Sequence, residues 1–173
     1  MFPEMGTIVL YTTRPRREGE SEGREYHFID EAGLCGFREA GRVIECRTYQ
    51  TVAGPWSYAT VDDGSFDVDK RDYLVIGTLE SYLAVRGYFS AERVIPLYIW
   101  TEDGERLTRA VLRERKQKAP RYAELCRRFL ADDADFSEEK LREAGITVRF
   151  ENDSLDRCLS DLAAYVRSAS GNC

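Results

Sequence analysis

Four short apolar runs set the rhythm of the chain: "TIVLYT" (7–12), "YLVIGT" (73–78), "VIPLYIW" (94–100) and "ITVRF" (146–150). Runs of this length, rich in branched and aromatic side chains, predict buried strands. Helical patterns fill the spaces around the last three. One covers 79–89 after Thr78, and a second covers about 102–116, where Thr101 can cap and Glu102 and Asp103 occupy the first turn beside the positive helix end. A third runs from about Pro120 to Leu130. A fourth opens near Ser137 with Glu138 and Glu139 and stops at Gly145. The last runs from Ser154 to about Arg167, with Leu155, Leu159, Leu162 and Val166 on one stripe. Strands alternating with helices predict an α/β fold with a parallel sheet and flanking helices.

Residues 12–72 break that rhythm. A helix over 30–40, capped by Asp30 and closed by Gly41, is followed by "RVIECRTYQTVAGPWSYATV", which reads as strand, Gly-Pro turn and strand. This predicts a small, mostly antiparallel lobe on the α/β layer. With no internal repeat and no low-complexity linker, the lobe belongs to a single domain spanning 1–173.

Composition narrows the classes. A chain of 173 residues with 43% hydrophobic content suits one core, and a net charge of −6 argues against a nucleic-acid or membrane-surface binder, whose footprints are basic over a whole face. No apolar run approaches the roughly 20 residues that span a bilayer. The five cysteines (Cys35, Cys46, Cys126, Cys158, Cys173) form an odd set without CxxC spacing or a preceding secretory segment, so a cytoplasmic location is expected. His27 is the only histidine, set between Tyr26 and Phe28, and reads as a strand residue rather than a catalytic one; no metal site is expected. The local chemistry lies in "LYTTRPRREGESEGREYHF" (10–28), where Arg14, Arg16, Arg17 and Arg24 follow a predicted strand. Arg14 and Arg17 could clamp a phosphate in bidentate fashion, although Glu18, Glu20 and Glu22 nearly balance the run.

The order of motifs carries a resemblance. TTR-x-x-R-x-G-E-x-x-G-x-x-Y at 12–26, then "VIECRTY", "WSYAT", "RLTRAVLRERKQ", "CRRFLADDADF" and "FENDSLDRCLSDL", resembles the guanylate kinase family from about residue 8 to 166. The resemblance implies a nucleoside-monophosphate-kinase-like fold, with 12–72 as the acceptor lobe, 73–112 and 127–173 as core and about 113–126 as lid. It implies the reaction ATP + GMP to ADP + GDP, with Mg²⁺. Arg14 and Arg17 would hold the GMP phosphate, and Tyr26 and Tyr58 would add hydroxyl donors. Glu45 would accept from the N1 and exocyclic amino donors of guanine, with Thr60 near O6. Arg113 or Arg115, and Arg128, would neutralise the transferring phosphoryl group.

The sequence also departs from that family. It contains no G-x-x-x-x-G-K-[ST] motif, and its four lysines, Lys70, Lys116, Lys118 and Lys140, lie outside any such loop. Val75 and Gly77 fall where the family has acidic residues, one contacting guanine and one near the metal; Thr78 or Glu80 is placed to compensate. The expectation is therefore a GMP binder with impaired phosphoryl transfer. The alternative is a non-catalytic guanylate kinase-like module that uses the same cleft for a protein or phosphopeptide partner. An unpaired sheet edge would favour a homodimer.

Overall fold

A computed structural model describes residues 2–51 and 54–170, with backbone only at Ser170. The chain divides into two compact units, Met1–Val94 and Ile95–Cys173.

The first unit contains β1 (Gly6–Thr7), β2 (Tyr11–Thr12), β3 (His27–Phe28), α1 (Glu31–Glu39), β4 (Val43–Thr51), β5 (Gly54–Val61), β6 (Tyr73–Leu74) and α2 (Leu79–Phe89). Its main sheet has the order β3-β2-β5-β4. β2 pairs with β3 in parallel, while β2–β5 and β4–β5 are antiparallel, which is the predicted lobe. α1 starts and stops on the anticipated residues: the Asp30 side chain accepts from the Gly33 N–H at 2.8 Å, and Gly41 takes the left-handed φ of 67° that ends the helix. Leu34 of α1 packs on Ala59 and Val61, with Tyr11, Ile29, Phe37, Val43 and Cys46 around them. That cluster covers one face of the β4–β5 ribbon and leaves the other for chemistry.

The second unit contains β7 (Tyr98–Trp100), α3 (Asp103–Glu114), α4 (Tyr122–Asp135), α5 (Glu138–Glu143), β8 (Arg149–Glu151) and α6 (Leu155–Ser170). β7 and β8 form a parallel pair in register Ile99↔Phe150. Ser137 caps α5 and Gly145 ends that segment at φ 75°, both as expected.

Several expectations need correction. The run 7–12 is two strands, because its ends serve different sheets: Gly6–Thr7 pair with Tyr73–Leu74, whereas Tyr11–Thr12 lie between β3 and β5. In 73–78 only Tyr73 and Leu74 are strand, and Ile76 is 85% exposed rather than buried. The described sheet there is two-stranded, so no second neighbour covers the run. The run 94–100 pairs only over Tyr98–Trp100, since Pro96 lacks the N–H a ladder needs. Glu102, not Thr101, caps α3 by accepting from the Glu105 N–H at 2.9 Å. Gly54 and Pro55, expected in the turn, open β5; residues 52–53 lie outside the described residues. α4 extends to Asp135, beyond the expected Leu130. On α6 the buried side chains are Cys158 and Ala163, while Leu155 is 64% exposed, so the contact face is rotated from the leucine stripe. Among the described residues no helix is long and apolar enough to cross a membrane.

Candidate functional site

Strand alternation places Glu45 and Arg47 of β4 on the face opposite the Leu34 core, cross-strand from Thr60 and Tyr58 of β5. Glu45 is only 8% exposed. A buried carboxylate needs partners, and three elements supply them. Thr60 Oγ1 donates to Oε1 at 3.0 Å and Ser81 Oγ donates to the same oxygen at 3.1 Å. Arg47 Nε donates to Oε2 at 3.1 Å, and its Nη2 lies 3.4 Å from Oε1. Arg47 Nη1 then donates to Thr78 Oγ1 at 2.9 Å. Thr78 is the N-cap of α2, accepting from the Ser81 N–H. Glu45, Thr60 and Thr78 are thus brought together by the fold. Arg47 and Ser81 join them unanticipated; the i, i+2 spacing from Glu45 and the Thr78-x-x-Ser81 start of a helix were the available signals.

The arginine loop is built around a second ion pair. Arg14 is 4% exposed. Its Nη2 lies 2.5 Å from Glu20 Oε1, and its Nη1 donates to Glu20 Oε2 at 2.8 Å and to the Pro15 carbonyl at 3.0 Å. The guanidinium also sits 5.0 Å from the Tyr26 ring centroid and 5.5 Å from that of Phe28. Glu20 accepts the Arg17 backbone N–H at 2.8 Å, which closes a turn through Gly19 at φ 86°. The Arg14 hydrogen bonds and that N–H pull the Glu20 carboxyl down from 4.5 to about 2. Threonines pin the loop to the sheet: Thr12 Oγ1 donates to the Ser57 carbonyl at 2.8 Å, and Thr13 Oγ1 accepts the Ser57 N–H at 2.9 Å. Tyr58 meets Tyr26 edge to face at 5.6 Å. Arg14, Tyr26 and Tyr58 therefore adjoin, whereas the Arg17 side chain stands exposed. Arg14 is not an open clamp, because Glu20 already occupies much of its donor fork.

His27 behaves as a strand residue. Its Nδ1 lies 2.9 Å from Glu22 Oε1 and its ring stacks on Tyr11 at 4.7 Å.

In the second unit, α3 and α4 line a cleft of about 300 Å³ with Arg106, Arg109, Arg113 and Arg128 around it and Glu114 and Asp132 as its acids. Arg113 and Arg128 line it as a pair, while Arg115, the C-cap of α3, is not among its lining residues. Arg106 lies 4.1 Å from the Phe129 ring and its buried Nε has no hydrogen-bond partner. Arg106 and Arg109 were missed by sequence reasoning; their i, i+3, i+7 spacing with Arg113 could have found them. Among the described residues no three His, Cys, Asp or Glu side chains converge as metal ligands.

A parallel-sheet α/β fold carrying an antiparallel lobe, with a buried carboxylate and an aromatic-backed arginine loop on that lobe, is consistent with a nucleoside-monophosphate-kinase-like fold. Comparison with known proteins is more specific. The guanylate kinase family model matches residues 3–83. The guanylate kinase of Chromobacterium violaceum is 28% identical over 170 residues, covering 96% of this chain and 74% of that protein. The guanylate kinase of Aromatoleum aromaticum is 46% identical over 43 residues, 25% of this chain and 21% of that protein. The matches to the first of these curated relatives thus span about a fifth of their length. The crystal structure of guanylate kinase from Anaplasma phagocytophilum superposes with a TM-score of 0.63 at 20% identity, covering 95% of this chain and 76% of that one, which speaks to the fold. Over its first half this chain is thus similar to guanylate kinases, and over most of its length it shares their fold.

Proposed function

We propose that this chain binds GMP as a phosphoryl acceptor on its first unit. The observation that carries the reading is Glu45: a carboxylate 8% exposed, held by Thr60, Ser81 and Arg47, on the sheet face that also bears Tyr58. A buried acceptor selects bases that offer N–H donors and penalises those that leave it unpaired. The arginine loop lies beside it, where Tyr26, Tyr58 and the exposed Arg17 would meet the phosphate and Arg14 would share its cation between phosphate and Glu20.

In the family reaction, ATP + GMP to ADP + GDP, Arg113, Arg115 and Arg128 would offset charge on the transferring group. ATP would have to be held without a G-x-x-x-x-G-K-[ST] loop, which this sequence does not contain. Its described residues do not fit Mg²⁺ either: no acidic cluster is present, and Val75 and Gly77 are exposed apolar or small residues. No step is therefore routed through the ion, and transfer by this chain is expected to be slow, since phosphoryl transfer rests on positioning and charge stabilisation. The thiols of Cys35, Cys46, Cys126 and Cys158 are free, which suits a reducing cytoplasm.

Isothermal titration with GMP, with AMP as control and an ATP-dependent turnover assay alongside, tests the reading. Saturable GMP binding, AMP rejection and weak turnover are expected. If neither nucleotide binds, the acceptor reading fails, and phosphopeptides become the ligands to try.

A further inference from the structure

We infer that Arg47 is a specificity-determining residue of the base subsite, donating to the O6 and N7 acceptors of guanine beside the N–H donors that Glu45 takes; this rests on the GMP reading above. The family resemblance placed a hydroxyl, Thr60, near O6. Here that hydroxyl already donates a hydrogen bond, from Thr60 Oγ1 to Glu45 Oε1 at 3.0 Å. Ser81 Oγ does the same at 3.1 Å. Thr78 Oγ1 accepts twice, from Arg47 Nη1 and from the Ser81 N–H. The acidic residue expected near the base is absent, with Val75 and Gly77 in that stretch. The donor group that remains beside Glu45 is the guanidinium of Arg47.

Its geometry suits the task. Arg47 lies two residues from Glu45 on the same strand face, with Nε 3.1 Å from Oε2. Its side chain is 13% exposed against 5% for Glu45, so Arg47 is the outer partner, nearer an arriving ligand. Of the five guanidinium N–H groups, three are engaged, by Glu45 and Thr78, which leaves one hydrogen on each terminal nitrogen. The edge of guanine runs donor, donor, acceptor, acceptor: the amino group, N1–H, O6, N7. A carboxylate followed by a guanidinium is the complementary order, and arginine on O6 and N7 is the commonest specific arginine–base contact. Adenine shares the N7 acceptor but would set its 6-amino donor against the guanidinium N–H that O6 would accept, and its N1 acceptor against Glu45. Arg47 and Glu45 together would thus reject it twice.

The test titrates the full chain and its Arg47→Met and Arg47→Lys variants with GMP and with 7-deaza-GMP, which lacks only the N7 acceptor. The wild-type chain should prefer GMP about tenfold, and Arg47→Met should bind GMP about tenfold to a hundredfold more weakly with the preference gone. Arg47→Lys, which keeps charge but not the planar fork, should lose most of the preference. Thermal melts establish that each variant is folded; should Arg47→Met fail to fold, the wild-type preference and Arg47→Lys decide. GMP bound by the wild type without preference over 7-deaza-GMP, or bound equally or more tightly by Arg47→Met, overturns the role of Arg47 and leaves the GMP site standing. A wild-type chain that binds no GMP overturns the acceptor reading itself, and this inference with it.

Discussion

Two buried arginine–glutamate pairs sit in the first unit, and they are built in opposite senses. In Arg14–Glu20 the cation is the deeper partner, 3% exposed against 16% for the carboxylate. In Glu45–Arg47 the anion is deeper, 5% against 13%. The first pair is local, six residues apart within one loop, and its carboxylate also takes the Arg17 N–H, so it holds the loop in shape. The second joins β4 to β5 through Thr60 and to α2 through Thr78 and Ser81. A ligand nearing the loop meets Glu20 together with Arg14, whereas a ligand nearing the strand face meets Arg47 first. The depth of each partner thus separates a pair that shapes a loop from one whose cation faces an arriving ligand, as the proposed base contact requires.

The largest effect should come from breaking the strand-face pair. Glu45→Ala leaves Arg47 and two hydroxyls without their acceptor and should destabilise the chain by about 3 kcal/mol, read as a lower urea midpoint. Adding Arg47→Met should recover part of that loss, because no unpaired charge remains. Arg14→Ala should destabilise by about 2 kcal/mol through the orphaned Glu20 and lost ring contacts. Arg17→Ala, at an exposed position, should leave the melting temperature unchanged and weaken GMP binding about tenfold.

The loop pair can also be separated by pH. The folded-state pKa of Glu20 is depressed from 4.5 to about 2, so its contribution is fully present above about 4.5 and fades as pH falls toward 2. Acid titration followed by tyrosine fluorescence should show a loop transition in that window, absent in Glu20→Gln. Ser81→Ala removes one of several donors to Glu45 and should cost about 1 kcal/mol. The smallest effect on acceptor affinity is expected in the second unit: Arg113→Ala and Arg128→Ala should leave the GMP dissociation constant unchanged and reduce only residual phosphoryl transfer.

Local signals were legible where a residue type has one strong use. Asp30 and Gly41 bracket α1, Ser137 and Gly145 bracket α5, and the helix over 79–89 stands where Thr78 predicted it. Strand lengths were not legible, because apolar runs show propensity but not partners: the run 7–12 divides between two sheets, and 75–77 is exposed beside a two-stranded one. Arg14, Tyr26, Glu45, Tyr58 and Thr60 were expected from motif order, and Thr78 as a substitute for absent acids; the structure brings Glu45, Thr60 and Thr78 together and sets Arg14, Tyr26 and Tyr58 side by side. How they are engaged was not legible. That Arg14 is gripped by Glu20 depends on the turn the loop adopts, and that Thr60 donates to Glu45 depends on pairing between two strands.

The central claim, that the buried carboxylate of the strand face reads guanine, is tested most directly by titrating GMP into the wild-type chain and into Glu45→Gln, which keeps the shape but replaces an acceptor oxygen with an amide donor. The account predicts saturable binding by the wild type and a loss of about a hundredfold in the folded variant. Equal affinity for GMP in both would contradict it, because the ligand would then be bound without reference to Glu45.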